Sequence, residues 1–181
     1  MPTSHPHNTE KEFVALYTKE ADAVFRFCLL RTSNRDVAKD IAQEAFTKIW
    51  VSMQAGNDIQ NPRAFVFKIT RNLIIDWYRK KKASSLDQMA DEDPHGEIGL
   101  VDDEAELSAE MTAEARFLIT KIRELDPTYQ QAVYLRFVEG MRPQEIAEVL
   151  GETVNVVSVR ITRGLEKLRQ ISGYSQEAKK N

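Results

Sequence analysis

Residues Met141–Arg169 read MRPQEIAEVLGETVNVVSVRITRGLEKLR and contain two short helical patterns separated by Gly151. Pro143 suits the first turn of a helix, because the N–H that proline lacks would have no helical partner there in any case. Gly151 is typical of a helix end, and Thr153 can cap the start of the following helix. The stretch therefore predicts a helix-turn-helix, in which two helices meet at a tight turn.

The second predicted helix divides into an apolar face and a cationic face at about 100° per residue. The apolar face is expected to pack inward and consists of Val157, Ile161, Gly164, Leu165 and Leu168. The neighbouring face consists of Asn155, Val156, Val159, Arg160, Arg163 and Lys167. A cationic second helix is the arrangement that places side chains in the major groove of DNA. An ordinary helical hairpin with a solvated cationic face is the alternative interpretation.

The composition limits the classes of protein that the chain can represent. Its 181 residues suit one domain or two small ones, and 42% hydrophobic residues is ordinary for a globular protein. No apolar run reaches the ~18 residues that a membrane span needs, and the polar start lacks the apolar core of a signal peptide. The single cysteine, Cys28, lies among apolar residues and predicts a reduced core thiol, and the histidines indicate no metal site. We therefore expect a cytoplasmic protein with no cofactor and no membrane insertion of its own.

The charge of −3 is distributed unevenly along the chain. Between Ala83 and Ala115 there are eleven Asp or Glu residues and no Lys or Arg, so the rest of the chain carries a charge of +8. Such a basic remainder keeps nucleic acid among the expected partners. The acidic stretch also contains proline and glycine but no aromatic residue, a composition typical of flexible linkers. We predict an all-α protein with two small helical domains, residues 9–82 and 110–171, joined by an acidic linker over residues 83–109.

Two helices are predicted at the start of the first domain. Thr9 followed by Glu12 forms a capping-box pattern, and an apolar stripe then continues to about Arg31. Asn34 is predicted to cap a second helix over residues 36–54. The residues expected to face inward in this second helix are Val37, Ile41, Ala45 and Ile49.

An aromatic pair, Phe46 and Trp50, lies at the edge of the inward-facing arc of the second helix. The spacing of the two residues favours a place in the core. Because aromatic side chains often anchor protein–protein interfaces, a partly exposed contact beside the neighbouring acidic residues is the alternative.

The third predicted helix follows Asn61 and reads PRAFVFKITRNLIIDWYRKKK over Pro62–Lys82, with seven Lys or Arg against one Asp. Its packing face consists of Val66, Ile69, Leu73, Ile74 and Trp77. The opposite face consists of Lys68, Arg71, Asn72, Ile75, Arg79 and Lys82. Cations of one sign along three turns predict a surface that follows DNA phosphates. Phe65 and Tyr78 are predicted to stack on unpaired bases.

The second domain begins with two further helical patterns. One lies near Leu107–Leu125 and breaks at Asp126–Pro127, and the next covers Thr128–Val138 and ends before Gly140. The chain contains no Gly-rich phosphate loop and no nucleophile paired with a base in a helical frame. These absences from the sequence argue against an enzyme.

Four segments in this order resemble the extracytoplasmic-function (ECF) sigma factors of bacterial RNA polymerase, over about Glu10 to Arg169. DVAKDIAQEAFTKIW, Asp36–Trp50, resembles region 2.2, which contacts the clamp helices of the β′ subunit. Asn61–Lys82 is similar to regions 2.3–2.4, which open and read the −10 element. LDPTYQQAVYLR, Leu125–Arg136, is similar to the start of region 4, and Gly140–Arg169 resembles region 4.2, which reads the −35 element.

The resemblance implies a subunit that directs core polymerase to promoters and assists their opening, without being an enzyme itself. The implied partners are core RNA polymerase, through its β′ clamp helices and β flap, promoter DNA, and an anti-sigma factor. The acidic linker corresponds to the family's segment that threads the active-site cleft and the RNA exit path.

The resemblance also implies site residues. The set expected to contact core polymerase is Asp36, Asp40, Gln43, Glu44, Phe46 and Trp50, with a mixed packing and interface role for Phe46. The −10 set, which includes the base-capturing loop, is Asn57, Asp58, Arg63, Phe65, Lys68, Arg71, Asn72, Tyr78, Arg79 and Lys82. The −35 set is Thr153, Asn155, Val156, Ser158, Val159, Arg160, Thr162, Arg163 and Lys167.

Two departures from the family pattern concern the predicted helix-turn-helix. Family members commonly have Gly-Thr-Val and then Lys-Ser-Arg, where this chain has NVVSVR over Asn155–Arg160. Arg142 stands where a hydroxyl cap is usual before Pro143. A free-standing helix-turn-helix repressor and a sigma-like adaptor that binds a regulator and not DNA are the alternative functions.

Overall fold

The computed structural model describes residues 6–84 and 112–172. These residues form two compact units, one in each range. In both described ranges every regular element is an α-helix. The predicted all-α class is therefore confirmed, whereas the predicted linker, residues 83–109, lies almost entirely outside the described residues.

The first unit consists of three helices: α1 (Pro6–Thr32), α2 (Arg35–Gln54) and α3 (Pro62–Ser84). Asn34 caps α2, because its side-chain oxygen accepts a hydrogen bond from the Val37 N–H at 3.0 Å. Asn61 accepts a bond from the Ala64 N–H at 3.0 Å in the same way and caps α3. Both predicted helix starts therefore rest on a side chain that satisfies an otherwise unpaired backbone donor.

The start of α1 corrects one prediction. The helix begins at Pro6, so Thr9 lies inside it with 9% of its surface exposed, and the predicted capping box of Thr9 and Glu12 is wrong. Proline at the first helical position is pre-organised for the helix and loses no hydrogen bond there. Pro6, three residues before Thr9, therefore marks the start of the helix.

The core of the first unit lies where its three helices meet. Phe27 and Phe67 pack edge to face with ring centroids 5.3 Å apart, and both are fully buried. Three of the predicted inward residues of α2, Ile41, Ala45 and Ile49, are also buried, whereas Val37 is half-buried. Cys28 lies in this core, as predicted, and burial raises the pKa of its thiol to about 12.

The second unit consists of four helices: α4 (Ala113–Arg123), α5 (Pro127–Phe137), α6 (Pro143–Leu150) and α7 (Val154–Ile171). The Thr112 hydroxyl accepts a bond from the Ala115 N–H at 3.2 Å and caps α4, and the predicted start of helical structure near Leu107 lies outside the described residues. At the start of α6 the Arg142 N–H donates to the Glu145 carboxylate at 2.7 Å. This bond satisfies the backbone N–H of Arg142 and is the half of a capping box that the third helical residue supplies, whereas a hydroxyl cap would accept from an N–H inside the first turn.

Helices α5 and α7 approach each other most closely at Gly164. A Cβ atom at this position would lie 2.5 Å from Val133 Cγ2 and 3.3 Å from Tyr129 Cβ, so a larger side chain has no room. Val157 and Leu168 are buried on the same face of α7, as predicted. The packing of α7 therefore leaves its opposite face to solvent.

Candidate nucleic-acid and protein interfaces

The outer face of α2 carries polar residues whose side chains are exposed. Asp36, Asp40, Gln43 and Glu44 all belong to this set. Glu44 pairs with Lys48 at 3.3 Å, but both side chains are more than half exposed, so water screens the pair. This face is therefore charged, accessible and only weakly tied to its own helix.

An aromatic cluster lies beside that polar face, between α1 and α2. Phe46 is only 4% exposed and packs at a steep angle on Tyr17, with ring centroids 4.8 Å apart. Trp50 is half-buried against Phe13 at 4.9 Å. Phe46 thus belongs mainly to the packing, whereas the half-exposed ring of Tyr17 widens the surface that a partner can reach. Sequence patterning had assigned Tyr17 only to the apolar stripe of α1.

The predicted cationic face of α3 is accessible. Lys68, Asn72, Arg79 and Lys82 are exposed, and Arg71 is half-buried. Arg79 lies 3.9 Å from Asp76, yet both side chains are mostly in solvent. The structure therefore brings these side chains together along one face, on which the pair of Arg79 with Asp76 is screened by water.

Three other residues predicted for the −10 set are engaged in packing. Arg63 donates to the Glu20 carboxylate at 2.9 Å, and Glu20 is buried, so this ion pair ties the start of α3 to α1. The Tyr78 hydroxyl donates to the backbone oxygen of Arg31, and burial raises the pKa of Tyr78. Phe65 is half-buried. These side chains position α3 as well as lining its surface.

The loop between α2 and α3 presents two of the predicted residues to solvent. Asn57 and Asp58 are both exposed, and the Asn57 amide donates to the Ser52 hydroxyl at 2.8 Å. Gly56, just before them, has a φ of +75°, which favours glycine. The chain therefore leaves α2 by a tight turn that directs Asn57 and Asp58 outward.

The exposed face of α7 combines apolar and polar side chains. Val156 and Val159 are exposed, as are Asn155, Ser158, Thr162 and Arg163. Thr153 caps the helix by accepting a bond from the Val156 N–H at 3.3 Å. A shallow depression brings part of this face together with α5 and is lined by Thr128, Tyr129, Asn155, Val156, Val159, Arg160 and Arg163.

Two of the three cations predicted on α7 are held by acidic side chains of the same unit. Arg160 lies 3.2 Å from the Glu152 carboxylate, in the turn before α7. Lys167 lies 3.3 Å from Asp126 and 5.3 Å from the centre of the Tyr129 ring. Arg163 is exposed between them along the helix. The acidic partners and Tyr129 were not predicted from the sequence, although Glu152 directly precedes the Thr153 cap.

Among residues 6–84 and 112–172, no group of three or more His, Cys, Asp or Glu side chains could hold a metal ion. No helix of the described chain is both long enough and apolar enough to span a bilayer.

Comparisons with known proteins identify the family. The model of sigma-70 region 2 matches residues 16–84, and the model of sigma-70 region 4 matches residues 118–168. The RNA polymerase sigma factor SigZ of Bacillus subtilis is 31% identical over 142 residues, covering 78% of this chain and 76% of SigZ. The ECF RNA polymerase sigma factor SigW of the same organism is 29% identical over 160 residues, covering 82% of each chain.

Two solved structures share the fold. The sigma factor RpoE of Bartonella quintana, in complex with the anti-sigma factor NepR, aligns with a TM-score of 0.66 at 17% identity, covering 92% of this chain and 99% of RpoE. CnrH, in complex with the cytosolic domain of CnrY, aligns with a TM-score of 0.59 at 22% identity, covering 92% of this chain and 91% of CnrH. The chain belongs to the ECF sigma factors of the sigma-70 family, which are non-catalytic subunits that direct RNA polymerase to promoters.

Proposed function

We propose that the two units of this sigma factor divide promoter recognition between them. The first unit, residues 6–84, binds core polymerase through α2 and the −10 element through α3 and the loop before it. The second unit, residues 112–172, binds the −35 element through α7. The observation that carries this proposal is that each of these helices buries one face and leaves a polar or cationic face exposed.

The polymerase contact is assigned to α2 because its exposed residues are not needed for the fold. Asp40, Gln43 and Glu44 are exposed, whereas Ile41 and Ala45 on the opposite side are buried. Carboxylates and amides on an open face, beside a partly accessible aromatic cluster, suit a charged partner helix. We assign this partner as the β′ clamp helices and assign the β flap to the second unit.

The −10 contact is assigned to α3 and the α2–α3 loop. Lys68, Arg79 and Lys82 are exposed on one face, where they can reach phosphates and neutralise their charge. Asn57 and Asp58 in the loop offer short polar side chains that can bond the edge of an unstacked base. A cationic face that binds phosphates, next to a loop that can bind an unstacked base, supports the binding of one separated DNA strand during promoter opening.

The −35 contact is assigned to α7. Arg163 is exposed and can donate two parallel bonds to a guanine, and Val156 and Val159 can touch thymine methyl groups. The neighbouring Asn155, Ser158 and Thr162 add hydrogen-bonding groups on the same face. An element that contains both guanine and thymine is therefore expected.

Regulation by an anti-sigma factor is part of the proposal. The solved complex of RpoE with NepR is a sigma factor of this fold bound to an anti-sigma factor. The accessible surfaces of α2, α3 and α7 are those that a silencing partner has to cover. We infer a cytoplasmic location, because the proposed partners, core polymerase and promoter DNA, are found there.

Run-off transcription with core polymerase tests the function. Added to core enzyme, the chain should produce defined transcripts from a subset of genomic fragments, and core enzyme alone should not. A free-standing repressor would bind fragments without supporting transcription. An adaptor that binds only a regulator would yield neither bound fragments nor transcripts.

The polymerase contact has its own test. Gln43→Ala combined with Glu44→Ala should weaken core binding about tenfold, as truncation of interface anchors often does. The free energy of unfolding should change by less than ~0.5 kcal/mol, because both side chains are exposed. Gln54→Ala, an exposed truncation at the end of the same helix, is the matched control and should bind normally. Normal core affinity in the double variant would assign the contact elsewhere.

A further inference from the structure

We propose that Glu152 is a specificity-determining positioning residue, which holds the Arg160 guanidinium at the DNA-facing start of α7. This inference rests on the proposed function of α7 as the −35-reading helix. The ion pair between Glu152 and Arg160 spans 3.2 Å and joins the turn to the exposed face of the helix.

The backbone around Glu152 is well fixed. Gly151 ends α6 with a φ of +69°, and the Glu152 N–H donates to the Ala147 oxygen at 3.1 Å. Thr153, the next residue, caps α7. The backbone of Glu152 is therefore fixed between two helix ends, so its side chain extends from a defined position.

Arg160 reaches that acceptor from within α7. Its Cα lies about 10 Å along the helix from the Thr153 cap, at about 1.5 Å per residue. Side chains on a helix lean toward its N-terminus, so the guanidinium of Arg160 extends back to the turn. In a helix-turn-helix, the N-terminal residues of the second helix contact base edges. The carboxylate thus holds the cation at the end of the helix where sequence is read.

This pair is more buried than the ion pair of Lys167 with Asp126 farther along α7. The side chains of Arg160 and Glu152 are 20% and 23% exposed, whereas those of Lys167 and Asp126 are 45% and 65% exposed. A charge-assisted hydrogen bond in a partly dry site is stronger and more directional than an exposed pair. A guanidinium has five N–H donors, so one carboxylate bond is compatible with a further bond to a base.

Two effects on DNA follow from the pair. A pre-positioned Arg160 loses less side-chain entropy on binding, which favours the base that it fits. The Glu152 carboxylate repels phosphates, which weakens binding to DNA of any sequence. Glu152 therefore raises the base preference through the first effect and lowers the affinity for all DNA through the second, whereas the loss of a merely structural turn residue would lower both the preference and the affinity.

The test uses holoenzyme assembled from core RNA polymerase and the full chain. The probe is a duplex DNA library with randomised bases at the −35 and −10 positions, and the bound fraction is sequenced at several salt concentrations. The variants are Glu152→Gln, Arg160→Ala, their combination, Arg163→Ala, and Arg163→Ala with Glu152→Gln. Glu152→Gln keeps the size of the side chain and removes its charge, and a thermal melt verifies that each variant is folded.

We expect Arg160→Ala to lower the base preference at one or two adjacent −35 positions about tenfold. Glu152→Gln should lower the preference at those same positions roughly threefold and bind non-preferred DNA more tightly. The combination with Arg160→Ala should have no further effect on the preference, whereas the combination with Arg163→Ala should be additive.

Three results would overturn the inference. Only the third would also overturn the proposed function of α7. If Glu152→Gln keeps the full base preference at the −35 positions that Arg160→Ala affects, only the positioning role of Glu152 is contradicted. An equal loss at every −35 position, with weaker binding to all DNA, would make Glu152 a structural turn residue. If the unmodified chain shows no −35 preference at all, the proposed function of α7 is wrong as well.

Discussion

The two helices proposed to bind DNA, α3 and α7, hold their charges in different ways. Lys68 on α3 is exposed, and the ion pair of Arg79 with Asp76 on the same helix is long, at 3.9 Å, and solvated. On α7 the cations Arg160 and Lys167 are each held by an acidic side chain. Loosely held charge suits a surface that follows phosphates whatever the sequence, whereas a fixed guanidinium suits the reading of one base.

The largest effect on this comparison is expected from a substitution that disrupts the packing of α7 and leaves α3 unchanged. Gly164→Val should destabilise the second unit by about 1–3 kcal/mol or more, because its Cβ meets the buried Val133. The gain in helix propensity over glycine, well below ~1 kcal/mol for valine, does not offset this clash. Hydrogen exchange should accelerate in α5 and α7 and stay unchanged in α1–α3.

DNA binding by Gly164→Val completes this test. The −35 preference should disappear while salt-dependent binding through α3 persists. Gln170→Val, which adds the same side chain at an exposed position of α7, is the control and should retain both. Retained −35 preference in Gly164→Val would show that α7 does not need its close approach to α5.

The charge of α3 is expected to have the next largest effect. Replacing Lys68, Arg79 and Lys82 together by Ala should lower the slope of log affinity against log salt by about 2.7, at ~0.9 per phosphate contact. Between 50 and 200 mM salt this amounts to about a 40-fold smaller loss of affinity. Binding titrations on several promoters measure the slope. A loss confined to one promoter would mean that α3 reads bases.

The exposed arginine of α7 should have a smaller, base-specific effect. Arg163→Ala should reduce discrimination at particular −35 positions by ~1–3 kcal/mol, since a bidentate bond to guanine is lost. Affinity measured over all single-base −35 variants distinguishes this from a phosphate contact. If every variant loses affinity equally, Arg163 contacts phosphate, and the contrast between α3 and α7 weakens.

The smallest effect is expected from the exposed valines. Val156→Ala and Val159→Ala should each lower the preference for thymine over uracil at one −35 position by a few tenths of a kcal/mol up to ~0.8 kcal/mol, the value of about one buried methyl group. Substitution of deoxyuridine for thymidine, one position at a time, is the measurement. Equal affinity for both bases in the unmodified chain would rule out the methyl contact.

Much of the fold followed from local sequence signals. The side chains of Asn34 and Asn61 each accept a bond from the backbone N–H three residues later. Because this spacing is visible in the sequence, both caps could be predicted. The inward arc of α7 was predictable for the same reason, since helical geometry repeats along the chain. Thr9 shows the limit of such signals, because an equally local signal, Pro6, lies just before it.

The internal partners of the site residues could not be predicted. Lys167 meets Asp126 across 41 positions of sequence, and Arg63 meets Glu20 across 43. Such contacts depend on how the helices pack, which periodicity does not encode. Tyr78 was predicted to stack on bases, yet its hydroxyl bonds the backbone of α1. Helical faces identify which side chains share a surface, but tertiary packing decides which of them are engaged.

The burial of Cys28 has a practical consequence for measuring the stability of the first unit alone. The chain has one cysteine, and in the folded state its thiol has no exposed surface and a pKa of about 12. Because the folded pKa lies above the ~8.5 of a free thiol, this group favours folding fully below about pH 8.5 and progressively less as the pH rises toward 12. Alkylation of the intact protein therefore requires the first unit to open, and with a slow reagent its rate reports the population of the open form, to which the second unit contributes no signal.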